Sequence, residues 1–151
     1  PGPSYLRVGK AGEPALHSVR GVDHGPLHVR TGEGRVALVA IGGILKTVCE
    51  AQSLLEEEGV AVDVFSLPCL KPLNATLLKP LIGFPTLFAI EEHVAEGGLA
   101  SALRENLPKA NIHSLNVSVE VADHVGSQEY LRGLTGLSAK AICEKVRRIL
   151  D

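Results

Sequence analysis

At 151 residues the chain has the length of one domain, and with 45% of them hydrophobic it can bury a layered core. Aromatic residues make up only 3%, with no Trp and no Met, so Val, Leu, Ile and Ala must fill that core, as in a parallel sheet covered by helices. A net charge of -2 with no basic stripe excludes nucleic acid as a partner, and no apolar run approaches the roughly 18 residues of a membrane helix. Three cysteines at wide spacing (Cys49, Cys69, Cys143) are an odd number that argues against a disulfide framework. With no signal peptide in view, the expected setting is the cytoplasm.

In chain order, residues 1–12 (PGPSYLRVGKAG) carry no helical period, and 13–26, rich in Gly, His and Val, reads as a linker. Residues 27–41 predict two strands, LHVR and RVALVAI, joined as a hairpin through Thr31, Gly32, Glu33 and Gly34. The second strand is apolar at every position from Val36 to Ile41, which places it inside the sheet. After Gly42 and Gly43, Ile44, Val48, Ala51 and Leu55 recur at helical spacing until Gly59 ends the helix, and VAVDVFSL supplies the next strand. Residues 36–67 therefore predict a β-α-β unit.

Asn74 is placed to cap a short helix through Leu81, and TLFAIE (86–91) makes the third parallel strand. Gly97 and Gly98 open a helix that ends near Leu107 and Pro108. Alternating Leu115, Val117, Val119 and Val121 predict a strand over 112–121, toward an edge. Ser138 caps a last helix whose stripe is Ala139, Ile142, Cys143, Val146, Ile149 and Leu150, with Arg147 and Arg148 in its final turn. The predicted fold is α/β, a three-layer α/β/α with a mostly parallel five-stranded sheet and one antiparallel edge strand.

Two places could carry chemistry. The junction at Gly42 and Gly43 joins a strand to a helix as phosphate sites do, but it has no G-x-G-x-x-G, no P-loop lysine and no acidic residue ending the second strand. The glycines then serve close packing. The segment IEEHVAEGGLASAL (90–103) delivers Glu91, Glu92 and His93 to the carboxyl edge of the sheet, where open α/β sheets bind ligands. Successive strand residues face opposite sides, so the two carboxylates do not form an acid-base pair without a bend. The expected role of Glu91, Glu92, His93, Gly97 and Gly98 is an interface or anion contact, with one carboxylate accepting from the amides at Gly97 and Gly98. His17, His24, His28, His93, His113 and His124 show no metal-ligand spacing, and no nucleophile turn is present, so neither a metal site nor a catalytic residue is expected.

The ordered run VALVAIGG, VCEAQSLLEEEG, VAVDVFSLPCLKPLN, LFAIEEHVAEGGLASAL and GSQEYLRGLTGLSAKAICEKVRRIL resembles the C-terminal domain of the transketolase family. The likeness takes in transketolases, 1-deoxyxylulose-5-phosphate synthases and, more distantly, the beta subunits of 2-oxo acid dehydrogenases. It covers about residues 27–151, and PSYLRVGK resembles the last strand of the family's preceding pyrimidine-binding domain. The resemblance implies an organisation into 1–12 (end of the preceding domain), 13–26 (linker) and 27–151 (C-terminal domain). By the same likeness Lys10, with Arg7 three residues earlier, falls where a basic residue holds a sugar phosphate; a solvated strand end is the alternative. Asn74 stands where the family usually has Asp, and 117–126 lacks the usual proline-containing turn. The family's thiamine diphosphate and divalent metal belong to the first two domains, so this chain alone should be inactive. It should support ketol transfer by a homodimeric parent through contacts with the other domains. A stand-alone module binding a small anionic ligand at the sheet's carboxyl edge is the alternative.

Overall fold

The computed structural model describes residues 2–5, 14–17 and 24–151. Lys10, Arg7 and most of the two N-terminal segments proposed at 1–12 and 13–26 lie outside these residues. Five strands form one sheet in the order β1-β3-β2-β4-β5, from β1 (Leu27–Arg30), β2 (Val36–Ile41), β3 (Asp63–Ser66), β4 (Thr86–Glu91) and β5 (Asn111–Leu115). All pairings are parallel except β1 with β3, which is antiparallel at the edge. This is the three-layer α/β arrangement that the pattern of apolar runs predicts.

Alternation along the central strands sorts the core into two halves. Leu38, Ala40, Phe88 and Ile90 face α1 (Leu45–Glu57) and α4 (Ala139–Leu150), where Val48, Leu55, Ile142 and Val146 are buried against them. Ala37, Val39, Leu87 and Ala89 face the opposite layer, made by α2 (Leu99–Asn106) and a 3-10 turn at Lys79–Leu81. Each Leu or Phe removed from water in these layers contributes about 1.5–3 kcal/mol. No helix among the described residues is long and apolar enough to cross a membrane.

Three expectations need correction. β1 and β2 are not a hairpin: β3 lies between them, and Leu27 and His28 pair with Ser66 and Phe65. The connecting glycines serve proximity, since a Cβ on Gly32 or Gly34 would run into the backbone of Val62 and Ala61 as the link passes the start of β3. Asp63, buried at that start, binds His28 Nε2 through Oδ1 at 2.7 Å and accepts from the Gly34 amide through Oδ2 at 3.2 Å. The side chain thus fastens the edge strand and the link to β3. The predicted strand over 112–121 stops at Leu115, and Val119–Asp123 is a 3-10 turn capped by Ser118. Beyond β5 the chain leaves the edge of the sheet, so the valines have no strand to pair with. The helix predicted from Asn74 is a series of turns; Asn74 Oδ1 accepts from the Leu77 amide at 3.1 Å, and only Lys79–Leu81 closes as a 3-10 turn.

Candidate functional site at the carboxyl edge of the sheet

β4 is paired on both sides and buried from Leu87 through Glu91, so it delivers Glu91 and Glu92 to the carboxyl edge in fixed directions. Glu91 turns inward and is only 2% exposed. Its Oε1 accepts from the Leu99 amide at 2.7 Å, one residue beyond the amides expected to meet a carboxylate here. The N-cap of α2 is Gly98, which has no side chain to offer, and a Cβ there would collide with the Glu91 carboxylate. Glu91 therefore takes over the capping task from the strand, and the positive end of the helix offsets its buried charge.

Glu92 turns the other way and accepts a fork from Arg132, Nε to Oε1 at 2.8 Å and Nη2 to Oε2 at 2.9 Å. Gln128 Nε2 lies 3.1 Å from both oxygens. Arg132 also donates to Thr47 Oγ1 at 3.2 Å and to the Gly43 carbonyl at 3.1 Å. One guanidinium thus joins the ends of β4 and β2, the start of α1, and α3 (Gln128–Thr135). Such two-point pairing of Arg with carboxylate is both strong and directional. His93 is exposed, its Nδ1 2.9 Å from the Val94 carbonyl.

Between these groups and the segment crossing above them lies an open cleft of about 1090 Å³, walled by Leu70, Val117, Val121 and Leu131 and reached by Gly43 and Gly97. Glu91 and Glu92 point away from each other and are each spent on another partner, so the cleft has no carboxylate pair to share a proton. Among the described residues, no three His, Cys, Asp or Glu side chains come together as a metal site. The cleft does not suit the diphosphate that the family resemblance implies for the parent: it presents two carboxylates, and its arginine is committed to one of them.

The profile described as "Transketolase, C-terminal domain" matches residues 25–142. The chain belongs to the transketolase C-terminal domain family. This transketolase C-terminal domain is 33% identical over 120 residues to the 1-deoxy-D-xylulose-5-phosphate synthase of Dictyoglomus thermophilum, covering 77% of the chain and 19% of that protein. It is 35% identical over 123 residues to the synthase of Chlorobium luteolum, covering 79% and 19%. Over 152 residues it is 30% identical to 1-deoxy-D-xylulose-5-phosphate synthase 2 of Geobacter sulfurreducens, covering 96% and 24%. The chain thus spans about a fifth to a quarter of the length of these curated relatives.

Among solved structures it superposes on a split gene transketolase, described as an inactive beta4 tetramer, with TM-score 0.77 and 27% identity, covering 92% of the chain and 47% of that one. The transketolase of Campylobacter jejuni shares the fold at TM-score 0.57 and 16% identity, covering 91% and 20%.

In the transketolase C-terminal domain described here, the group that organises the site is one that sequence reasoning passes over. Gln128 and Arg132, one turn apart on α3, meet Glu92 from 36 and 40 residues away, and Thr47 accepts from Arg132; no local pattern pairs these residues with Glu92. Helix α3 did leave a signal, with Ser127 as N-cap, accepting from the Tyr130 amide, and Gly136 as a left-handed C-cap.

Proposed function

We propose that the chain is the C-terminal domain of a thiamine-diphosphate-dependent enzyme of the 1-deoxyxylulose-5-phosphate synthase or transketolase type, and that it supports the assembly of a homodimer whose reaction centre lies in other domains. The divisions 1–12, 13–26 and 27–151 belong to this reading, as does a substrate-phosphate role for Lys10 and Arg7. The observation that carries it is the state of the carboxyl edge. Both carboxylates there are already engaged: Glu91 with the Leu99 amide, and Glu92 with Arg132 and Gln128. A site so occupied holds elements in place, and that is what a supporting domain does. Identities of 30 to 35% to 1-deoxy-D-xylulose-5-phosphate synthases favour the synthase type for the parent. Its cofactor and divalent metal would be bound by the remaining four-fifths of the enzyme, where this chain supplies no ligand and no proton.

The test is reconstitution. The chain alone should neither bind thiamine diphosphate nor turn over, whereas adding the polypeptide that carries the thiamine-binding domains should restore formation of 1-deoxyxylulose 5-phosphate or ketol transfer. A reconstituted enzyme that stays inert counts against the reading. A free-standing anion-binding module would instead show calorimetric binding of a phosphorylated metabolite that Glu92→Gln or Gly98→Val removes.

A further inference from the structure

Four of the eight exposed large hydrophobic side chains among the described residues fall within one short stretch: Val119 (70% exposed), Val125 (97%), Tyr130 (50%) and Leu134 (45%). Tyr130 and Leu134 stand one turn apart on α3, a helix with no buried residue, although its apolar side chains lie on one stripe. A Cβ on Gly126 would meet the Tyr130 ring, so the backbone that follows Val125 lies against the helix's exposed aromatic side chain. A patch of this kind, uncovered on a domain with an otherwise well-buried core, marks a contact surface.

Charge selects the occupant. The stretch carries Glu120, Asp123 and Glu129 against no lysine and one arginine, Arg132, which is spent on Glu92. Two copies meeting through this face would set acid against acid, which costs binding. A surface with an apolar centre and a Lys or Arg rim complements it. The relatives' chains are four to five times as long as this one, so the nearest source of such a surface is the rest of the parent enzyme.

We propose that the face formed by Val119, Val125, Tyr130 and Leu134, with its acidic rim, is where this domain docks onto a basic-rimmed apolar surface of the parent enzyme's other domains. The proposal rests on the reading of the chain as a domain of such an enzyme. The rim sets orientation and rate of encounter, and the apolar centre holds the contact.

The chain and the polypeptide carrying the thiamine-binding domains are produced separately, and their association is measured by calorimetry at low and moderate salt. Wild-type chain should associate, more weakly as salt rises. Glu120→Lys/Asp123→Lys/Glu129→Lys and, separately, Tyr130→Ser/Leu134→Ser should each weaken association by on the order of tenfold or more. Thermal melting of both variants should stay near wild type, because none of the five side chains is buried. Unchanged association of both variants beside a binding wild type overturns the docking face and leaves the proposed function standing. A wild-type chain that does not associate at all overturns both. Sedimentation of the chain alone as a dimer that Tyr130→Ser/Leu134→Ser dissociates assigns the face to a second copy, and this too overturns the proposal.

Discussion

Strand β4 is buried from Leu87 through Glu91 and paired on both sides, whereas α3, which rides over its end, buries none of its residues. The first is fixed by removal of aliphatic surface from water, the second by directional polar contacts that converge on Glu92. Burial is spread over many side chains and tolerates the loss of none cheaply, while the crossing segment (residues 116–136) is held by a few polar ties, the Glu92 and Arg132 hub first and the Lys145 contacts to the Thr135 and Gly136 carbonyls at its end. The domain therefore joins a firm body to a cover whose seating is decided by a few charges.

The contrast can be broken at either end. Phe88→Ala, in the centre of the body, should cost about 3–5 kcal/mol in urea unfolding, because the cavity opens among fully buried neighbours. A loss below about 1 kcal/mol would contradict the description of the core. Arg132→Met should cost less, about 1–3 kcal/mol, by leaving the half-buried Glu92 without its fork. Its distinguishing readout is hydrogen exchange: protection should fall across α3 and stay intact in β2 and β4. Equal loss in both regions would show that the segment and body form one unit.

Smaller effects sharpen the picture. Gly136 holds φ 67 at the end of α3, so Gly136→Ala should destabilise by about 1 kcal/mol, again read mainly in the crossing segment. Cys49 and Cys143 lie in the body, where burial, above all, raises both thiols above their ordinary value of 9.0; the nearby Arg30 and Arg147 oppose the rise and do not cancel it. Thiols that ionise more readily once unfolded leave stability whole below pH 9.0, and it is lost as the pH climbs past that value toward the folded-state pKa. Denaturation midpoints taken at pH 8 and above 9 check the sign. With a thiol-reactive chromophore at pH 8, the partly exposed Cys69 should react first, and Cys49 and Cys143 only as fast as the body opens.

The same division governs what could be read before any coordinates. β2, α1, β4, α2 and α4 were legible because burial writes itself into spacing: VALVAI is apolar throughout, and Ile142 and Val146 stand one turn apart. Strand neighbours were not, since nothing in LHVR says that β3, arriving after a helix, will come between it and VALVAI. The alternation of Val117, Val119 and Val121 resembled a strand but served the wall of a cleft and an exposed face. Glu91 and Glu92 could be placed at the edge and on opposite sides from strand period alone. Their partners could not: Leu99 is a backbone amide, and Arg132 is 40 residues away from Glu92.

The insertion of β3 between β1 and β2 bears on how the polypeptide emerges during synthesis. Leu27 is made before Ser66 and can bond only when Ser66 has followed, so β1 waits, edge open, while the β2-α1-β3 unit completes. A newly made domain is then most exposed to mispairing at β1. The His28 and Asp63 contact, joining the waiting strand to the one it waits for, is the clasp that ends this vulnerable interval.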